Sequence, residues 1–281
     1  MLQLGSIYAL IALGYTMVYG VLQMINFAHG DIFMLGAFMC FFSLTVLKTS
    51  LGQTLLISMF GAALLGVMTE RFAYRPLRYA PKVSAIITAL GVGMFLENFT
   101  LALSPYPKHI PSVFNGKQLV MGGLTMSSLQ VLTIVLAVGL MIVLDIIVFK
   151  TKLGMALRAI SSDAAIVPLM GISVNKVVSM TFAIGAGLGG AAGTLYAIAY
   201  PVIDPYMGVM VGWKAFISAV IGGIGNIRGA MLGGFILGFV EVFAAVLLPS
   251  TYRDVVAFSL LMILLIYRPY GLLGRPKTLK V

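Results

Sequence analysis

An all-α integral membrane protein with about eight to nine transmembrane or broken helices is the fold class this sequence predicts, and three observations predict it. Hydrophobic residues make up 60% of the 281 and charged residues 9%, and the mean hydropathy is +1.08. Soluble domains average about 45–50% apolar and about 25% charged. A soluble body of this size has no interior large enough for so much apolar side chain, so lipid is the solvent for the rest. Second, the apolar residues fall in runs close to the length of one bilayer crossing, about 20 residues. Third, basic residues collect between alternate runs. Residues 1–281 read as a single transmembrane domain.

Leu2–Gln23 is the first run. It has no basic segment before it and no small-residue cleavage site after it, so it reads as a membrane segment and not as a cleaved signal. A polar interruption, Asn26-Phe27-Ala28-His29-Gly30-Asp31, precedes Ile32–Leu47, Leu55–Ala73 and Ser84–Leu103. Pro105–Thr125, with three prolines, reads as an outer loop. Ser128–Phe149 crosses again; after a polar stretch come the Gly/Ala-rich Val177–Tyr200, the short Trp213–Ile221, Ala230–Leu248 and Val255–Tyr267.

Charge orients these segments. Of the 18 basic residues, all but Lys48, Lys108, Lys117, Lys214 and Arg253 fall in Arg71–Lys82, Lys150–Lys176, Arg228 and the tail Arg268–Lys280. The positive-inside rule makes the latter group cytoplasmic, with the N-terminus outside and the C-terminus inside. This requires Trp213–Ile221 to return the chain inward, and its shortness predicts a broken or re-entrant helix buried among neighbours. The same rule accounts for the net charge of +10 without a nucleic-acid partner. One cysteine, Cys40, allows no internal disulfide and no thiolate metal cage. Gly5–Gly20 and Gly185–Tyr200 are both rich in small residues with tyrosine near one end, and this topology runs them in opposite directions. An inverted repeat has that form; chance likeness between Gly/Ala-rich spans is the competing explanation.

Polar residues within this apolar chain mark where function is to be sought. Asn26, His29 and Asp31 stand between two apolar runs with no proper loop, so they face a cavity or another helix and not lipid. Two readings fit: a discontinuous helix lining or gating a solute path, or a tight cytoplasmic turn with Asn26 and Asp31 capping helix ends. His29 lacks the partners of a catalytic base. The stretch Ile221–Gly229 holds four glycines in the eight positions from Gly222 and predicts a broken helix whose backbone groups meet a solute. It lacks the Gly-Lys-Ser/Thr ending of a phosphate loop. Gly185, Gly189 and Gly193, then Gly225, Gly229 and Gly233, then Gly234 and Gly238, recur every fourth residue and predict close helix packing, within the chain or against a second subunit.

Acidic residues within spans are Glu97, beside Asn98, Glu241 at mid-span and Asp145 near the cytoplasmic end. An ion-coupled carrier needs several such groups converging at mid-depth, and only Glu241 is so placed. The cytoplasmic stretch Lys152–Lys176 carries Leu153, Leu157 and Ile160 at helical spacing; Ser162 or Asp163 can cap a second short helix that Gly171 ends. Two short amphipathic helices exposed there serve either to dock a soluble partner or to pack on the chain itself.

Several of these motifs together resemble one family over nearly the whole chain. Gly5-Ser-Ile-Tyr-Ala-Leu-Ile-Ala-Leu-Gly-Tyr-Thr-Met-Val-Tyr-Gly20 and Met24-Ile-Asn-Phe-Ala-His-Gly30 are similar to the opening of the branched-chain amino-acid ABC permeases. Glu70–Arg78, Gly154-Met-Ala-Leu-Arg-Ala through Gly171-Ile, Lys214-Ala-Phe, Val220–Gly225, Gly229–Gly234 and Tyr270–Pro276 resemble its later segments. An uncharged polar pair is expected where Glu97-Asn98 stands, and more residues usually precede the first motif than are found here.

The resemblance implies an ABC importer permease fold in a bacterial inner membrane, carrying branched-chain or other small neutral amino acids, and a transport subunit that is not itself an enzyme. Implied partners are a homologous second permease, two cytoplasmic ATPases and a periplasmic solute-binding protein. ATP and Mg would be bound by the ATPases, leaving no cofactor or metal in this chain. It assigns Gly154, Leu157, Arg158, Asp163 and Gly171 to ATPase docking, with Asn26, His29, Gly222, Gly223 and Gly225 expected at the pathway or its gate. The competing functions are an ion-coupled secondary carrier, an ABC permease for urea or short amides, and an intramembrane enzyme.

Overall fold

The computed structural model describes residues 1–78, 80–111, 118–121, 124–163 and 166–274. Among them are ten α-helices: α1 (Leu2–Leu22), α2 (His29–Thr45), α3 (Leu51–Thr69), α4 (Lys82–Leu103), α5 (Ser128–Lys150), α6 (Lys152–Ser162), α7 (Val174–Ala199), α8 (Met207–Gly222), α9 (Ile227–Leu247) and α10 (Arg253–Tyr267). Six, including the continuous α3 and π-helical turn Leu51–Tyr74, are long and apolar enough to cross a membrane; α2 and α8 are shorter apolar helices. The ends are set by local chemistry. The Ser50/Gln53 and Ser127/Gln130 pairs form capping boxes for α3 and α5, and Asn226 Oδ1 accepts from Gly229 N–H at the start of α9.

The short Trp213–Ile221 run proves to be the inner part of a longer helix. α8 starts at Met207, after Pro201 and Pro205, and its 16 residues span about 24 Å at about 1.5 Å each. Lys214 therefore lies inside a helix and not in an outer loop. The other basic segments behave as the charge rule requires. Arg78 reaches Asn175, both Arg158 and Arg228 lie over the Phe149 ring, and Asn226 Nδ2 donates to Leu273 O, so the cytoplasmic segments share one end. At the other end Lys108–His109 pairs antiparallel with Val202–Ile203. The outer loop also contains a hairpin, Gln118–Met121 with Leu124–Ser127. Lys117, Arg275, Lys277 and Lys280 lie outside the described residues.

The predicted inverted repeat is visible in the packing. Matching α1–α4 with α7–α10, α3 packs on α7 as α9 packs on α1; α2 packs on α7 as α8 packs on α1; and the pairs α2/α3 and α2/α4 recur as α8/α9 and α8/α10. α1 and α7 occupy the centre. Their apolar windows are 89% and 78% buried, against 22–39% for the other long helices, whose outer faces are left for lipid or a partner. The glycine stripes make this closeness possible. Gly185 meets Gly14, Gly234 meets Ala9, and Gly238 meets Gly5.

Candidate functional site

α1 ends at Gln23, whose left-handed backbone (φ 54°) turns the chain. Residues 24–28 then re-enter the bundle, and α2 begins only at His29. His29 packs against Gly14 and Gly189, close to the middles of the two central helices, so α2 starts at mid-depth. This supports the discontinuous-helix reading of the first interruption. The capping reading is corrected: Asn26 does not cap α2. Its side-chain oxygen accepts from the Tyr74 hydroxyl at 3.1 Å, Ile25 O accepts from the same hydroxyl at 3.2 Å, and the N-cap residue is Ala28. Tyr74 is held in turn by the π-helical turn Glu70–Tyr74, where Glu70 accepts from Arg78 at 2.9 Å and from Ser179 at 2.6 Å.

His29 is buried edge-on to Tyr15, with ring centroids 4.8 Å apart. Its slot exists because Gly14 has no side chain; a Cβ there would overlap the imidazole. Gly14→Ala is expected to cost about 1–3 kcal/mol of stability by overpacking, read as a lower thermal midpoint in detergent. Adding His29→Ala should return part of it, and an unmoved midpoint in Gly14→Ala alone would refute the slot.

The repeat brings the start of α8 to the start of α2: Gly30 lies against Gly208 and Gly212. Beside this crossing is a cavity of about 90 Å³, lined by Tyr15, Phe27, Asp31, Leu90, Gly93, Met94, Glu97, Gly208, Val209, Gly212, Trp213 and Phe216. The α4 contribution, Leu90, Gly93, Met94 and Glu97, is one helical face (i, i+3, i+4, i+7). Asp31 is 6% exposed, and its Oδ1 has no hydrogen-bond partner among the described residues. A Cβ on Gly93 would overlap its other oxygen. Phe27, Trp213 and Phe216 form a contiguous aromatic wall, with centroids 5.5–6.1 Å apart, and Tyr15 joins it at 6.1 Å from Phe216.

None of the five residues expected at the pathway lines this cavity, although Asn26 and His29 flank Phe27 and Asp31, which do. Gly222, Gly223 and Gly225 lie at the cytoplasmic α8–α9 turn. Gly223 (φ 104°) and Gly225 (φ 91°) allow a backbone few other residues adopt. The carbonyls of Ile221 and Gly222 accept from Leu272 and Leu273 N–H at 2.9 and 3.0 Å, so the groups expected to meet a solute hold the chain's own C-terminal segment.

The cytoplasmic segment divides in two. Gly154 and Leu157 are buried against the bundle, where a Cβ on Gly154 would overlap Val148 O; they anchor the segment and present nothing to a partner. Arg158 and Asp163 are exposed, and Asp163 accepts from Ile166 N–H. The second amphipathic helix is only a 3-10 turn, Val167–Met170, ended by Gly171 at φ 77°. It leaves Leu169 and Met170 exposed, as is Met155 on α6.

Two of the three acids that the sequence placed within spans, Glu241 and Asp145, are answered by bases. Glu241 is buried and accepts from Tyr8 Oη and Lys214 Nζ, each at 2.8 Å, while Lys214 also reaches Asp254 at 2.9 Å. Asp145 pairs with Arg228 at 3.0 Å. Glu97 and Asp31 are the acids left facing the cavity. Asp31, read from sequence as facing a cavity or capping a helix, was not counted with the intramembrane acids because it follows turn-forming residues. Its place two residues after the helix start was the available signal.

Two half-repeats of opposite direction, meeting at mid-depth beside a largely apolar cavity that holds two carboxylates, in a helical membrane bundle, define a multi-pass solute permease. The chain belongs to the family described as branched-chain amino acid transport system / permease component, whose profile matches residues 1–265. It is 41% identical over 294 residues to the high-affinity branched-chain amino acid transport system permease protein BraD of Pseudomonas aeruginosa, covering 100% of this chain and 95% of that one. It is likewise 41% identical over 292 residues to the permease protein LivH of the same-named system in Escherichia coli K12, covering 99% and 94%. The permease protein LivM of Salmonella typhimurium is 29% identical over 157 residues, covering 51% of this chain and 35% of its own. No solved structure gives a significant match.

Proposed function

We propose that this chain is one of two permease subunits of an ATP-driven importer that carries leucine, isoleucine, valine or similar small neutral amino acids across the inner membrane. The observation that carries this reading is the kinship with BraD and LivH along the full chain. Glu241, the one acid the sequence placed at mid-span, is held by a lysine and a tyrosine and is not itself poised to exchange an ion. The partial likeness to LivM supports a homologous second permease beside this one. Met94, Val209 and Trp213 of the cavity lining are exposed on the surface of the chain.

Two ATPases bind ATP and Mg beneath the bundle, and a solute-binding protein delivers the amino acid from outside. Exposed Arg158, Met155, Leu169 and Met170, with Asp163 and Gly171 shaping the turn, form the ATPase-docking surface, and buried Gly154 and Leu157 transmit its movement to the bundle. The experiment is uptake of radiolabelled leucine into proteoliposomes holding the complex, with ATP inside and binding protein outside. Leu169→Asp is expected to lower ATP-driven uptake about tenfold or more, the effect of losing an interface anchor. Uptake that proceeds without ATPases and follows an ion gradient would overturn the reading; uptake of urea or short amides in place of leucine would change the substrate alone.

A further inference from the structure

We infer that the cavity where α2 and α8 begin is a binding site for a primary ammonium group, held by Asp31 and Glu97 within an aromatic wall. This rests on the permease reading and names the part of the solute that the chain itself recognises.

The chemistry of the lining argues for a cation. Two carboxylates face one small cavity, and among its described lining residues no lysine or arginine answers them. The nearest basic group in sequence, Lys214, is turned to Glu241 and Asp254. Asp31 is nine-tenths buried with one oxygen unpartnered, whereas buried carboxylates elsewhere in the bundle are bonded: Glu70 to Arg78 and Ser179, Glu241 to Lys214 and Tyr8. A service to the α2 helix dipole alone would leave Glu97, on another helix, without a role. A buried carboxyl oxygen without a hydrogen-bond partner is costly, and a ligand that donates to it removes that cost.

The remaining walls suit an organic ammonium ion. Phe27, Trp213 and Phe216 offer π faces, which attract ammonium groups and tolerate the alkyl carbon attached to them. A cavity of about 90 Å³ has room for a head group and its waters. The first turns of α2 and α8 also border it, and their positive ends suit the carboxylate of the same zwitterion.

Trp213 is the one tryptophan of the chain and stands in the cavity wall, so its emission reports occupancy. The full-length chain in lipid nanodiscs is titrated with leucine, with n-butylammonium, with isocaproate, which lacks the amino group, and with sodium chloride at matched ionic strength. A saturable change is expected with leucine and n-butylammonium and not with sodium, and isocaproate should act more weakly than leucine. Asp31→Asn and Glu97→Gln should each move half-saturation by leucine about tenfold or more, as loss of a charge-assisted bond does, while Asp31→Glu stays near the unaltered chain.

An equal response to isocaproate, a response to sodium in place of ammonium, or neutral variants that titrate like the unaltered chain would overturn the assignment. Should Asp31→Asn fail to fold, Glu97→Gln decides, since Glu97 is only partly buried. ATP-driven leucine uptake by the complex alongside an unresponsive Trp213 removes this site and leaves the permease reading. Absence of leucine uptake with a retained n-butylammonium response removes the substrate and keeps the site.

Discussion

Replacing Arg78 by Met is expected to cost the folded protein about 3–5 kcal/mol, the usual penalty for stranding one member of a buried ion pair. Glu70 has no exposed side-chain surface, and Arg78 Nη2 supplies one of its two bonds at 2.9 Å. Without the guanidinium, Ser179 alone would face a carboxylate at the junction of α3 and α7. The same arginine reaches Asn175, so the cytoplasmic ends of both helices loosen together. Thermal denaturation in detergent should show a lower midpoint, and the π-helical turn that positions Tyr74 beneath Asn26 should lose order with it. Arg78→Met combined with Glu70→Gln removes both charges and should recover most of the loss. A midpoint that stays low in the double variant would mean that arginine packing, and not the stranded charge, sets the cost.

Lys214→Met is expected to be about as damaging, again about 3–5 kcal/mol. Lys214 sits between two acids, and Glu241, whose side chain is 5% exposed, would keep only the Tyr8 hydroxyl. Asp254, at 41%, can turn to water, so the penalty falls on Glu241. Adding Glu241→Gln should restore the thermal midpoint, since an amide accepts from Tyr8 without a charge. ATP-driven leucine uptake per folded complex should be preserved in that double variant. Its abolition, with folding intact, would assign Glu241 a part in transport that its bonding does not indicate.

Much of this architecture was legible in the sequence because the signals were local. Runs such as Leu2–Gln23 and Ser128–Phe149 matched α1 and α5 within a residue or two, and the four-residue glycine spacings matched real helix contacts. The start of α8 was hidden because Met207–Gly212 carries two glycines and follows two prolines, which lowers any local helical signal although packing against Gly30 fixes the turn. The candidate site was only half legible. The interruption at Asn26–Asp31 adjoins the cavity, but most of the cavity's lining comes from α4 and α8, far along the chain. Whether a buried acid is bonded depends on such distant partners: Glu70 and Ser179 are 109 positions apart, Tyr8 and Glu241 are 233. At the α8–α9 turn the same backbone freedom serves a solute or a neighbouring peptide, and only the fold showed that Leu272 and Leu273 take the carbonyls of Ile221 and Gly222.

The central position of α1 has a consequence for biogenesis. This helix, 89% buried in the finished bundle, leaves the ribosome well ahead of α7 and α9, which cover it. With α9 about 200 residues downstream and synthesis at about 5–20 residues per second, the interval is roughly 10–40 s. Through that time the tyrosine hydroxyl later held by Glu241, and the Thr16 hydroxyl, would face lipid or the insertion machinery. α1 is thus the segment most dependent on being sheltered during insertion, and slowed translation between α5 and α9 should expose it to membrane proteases before any other helix.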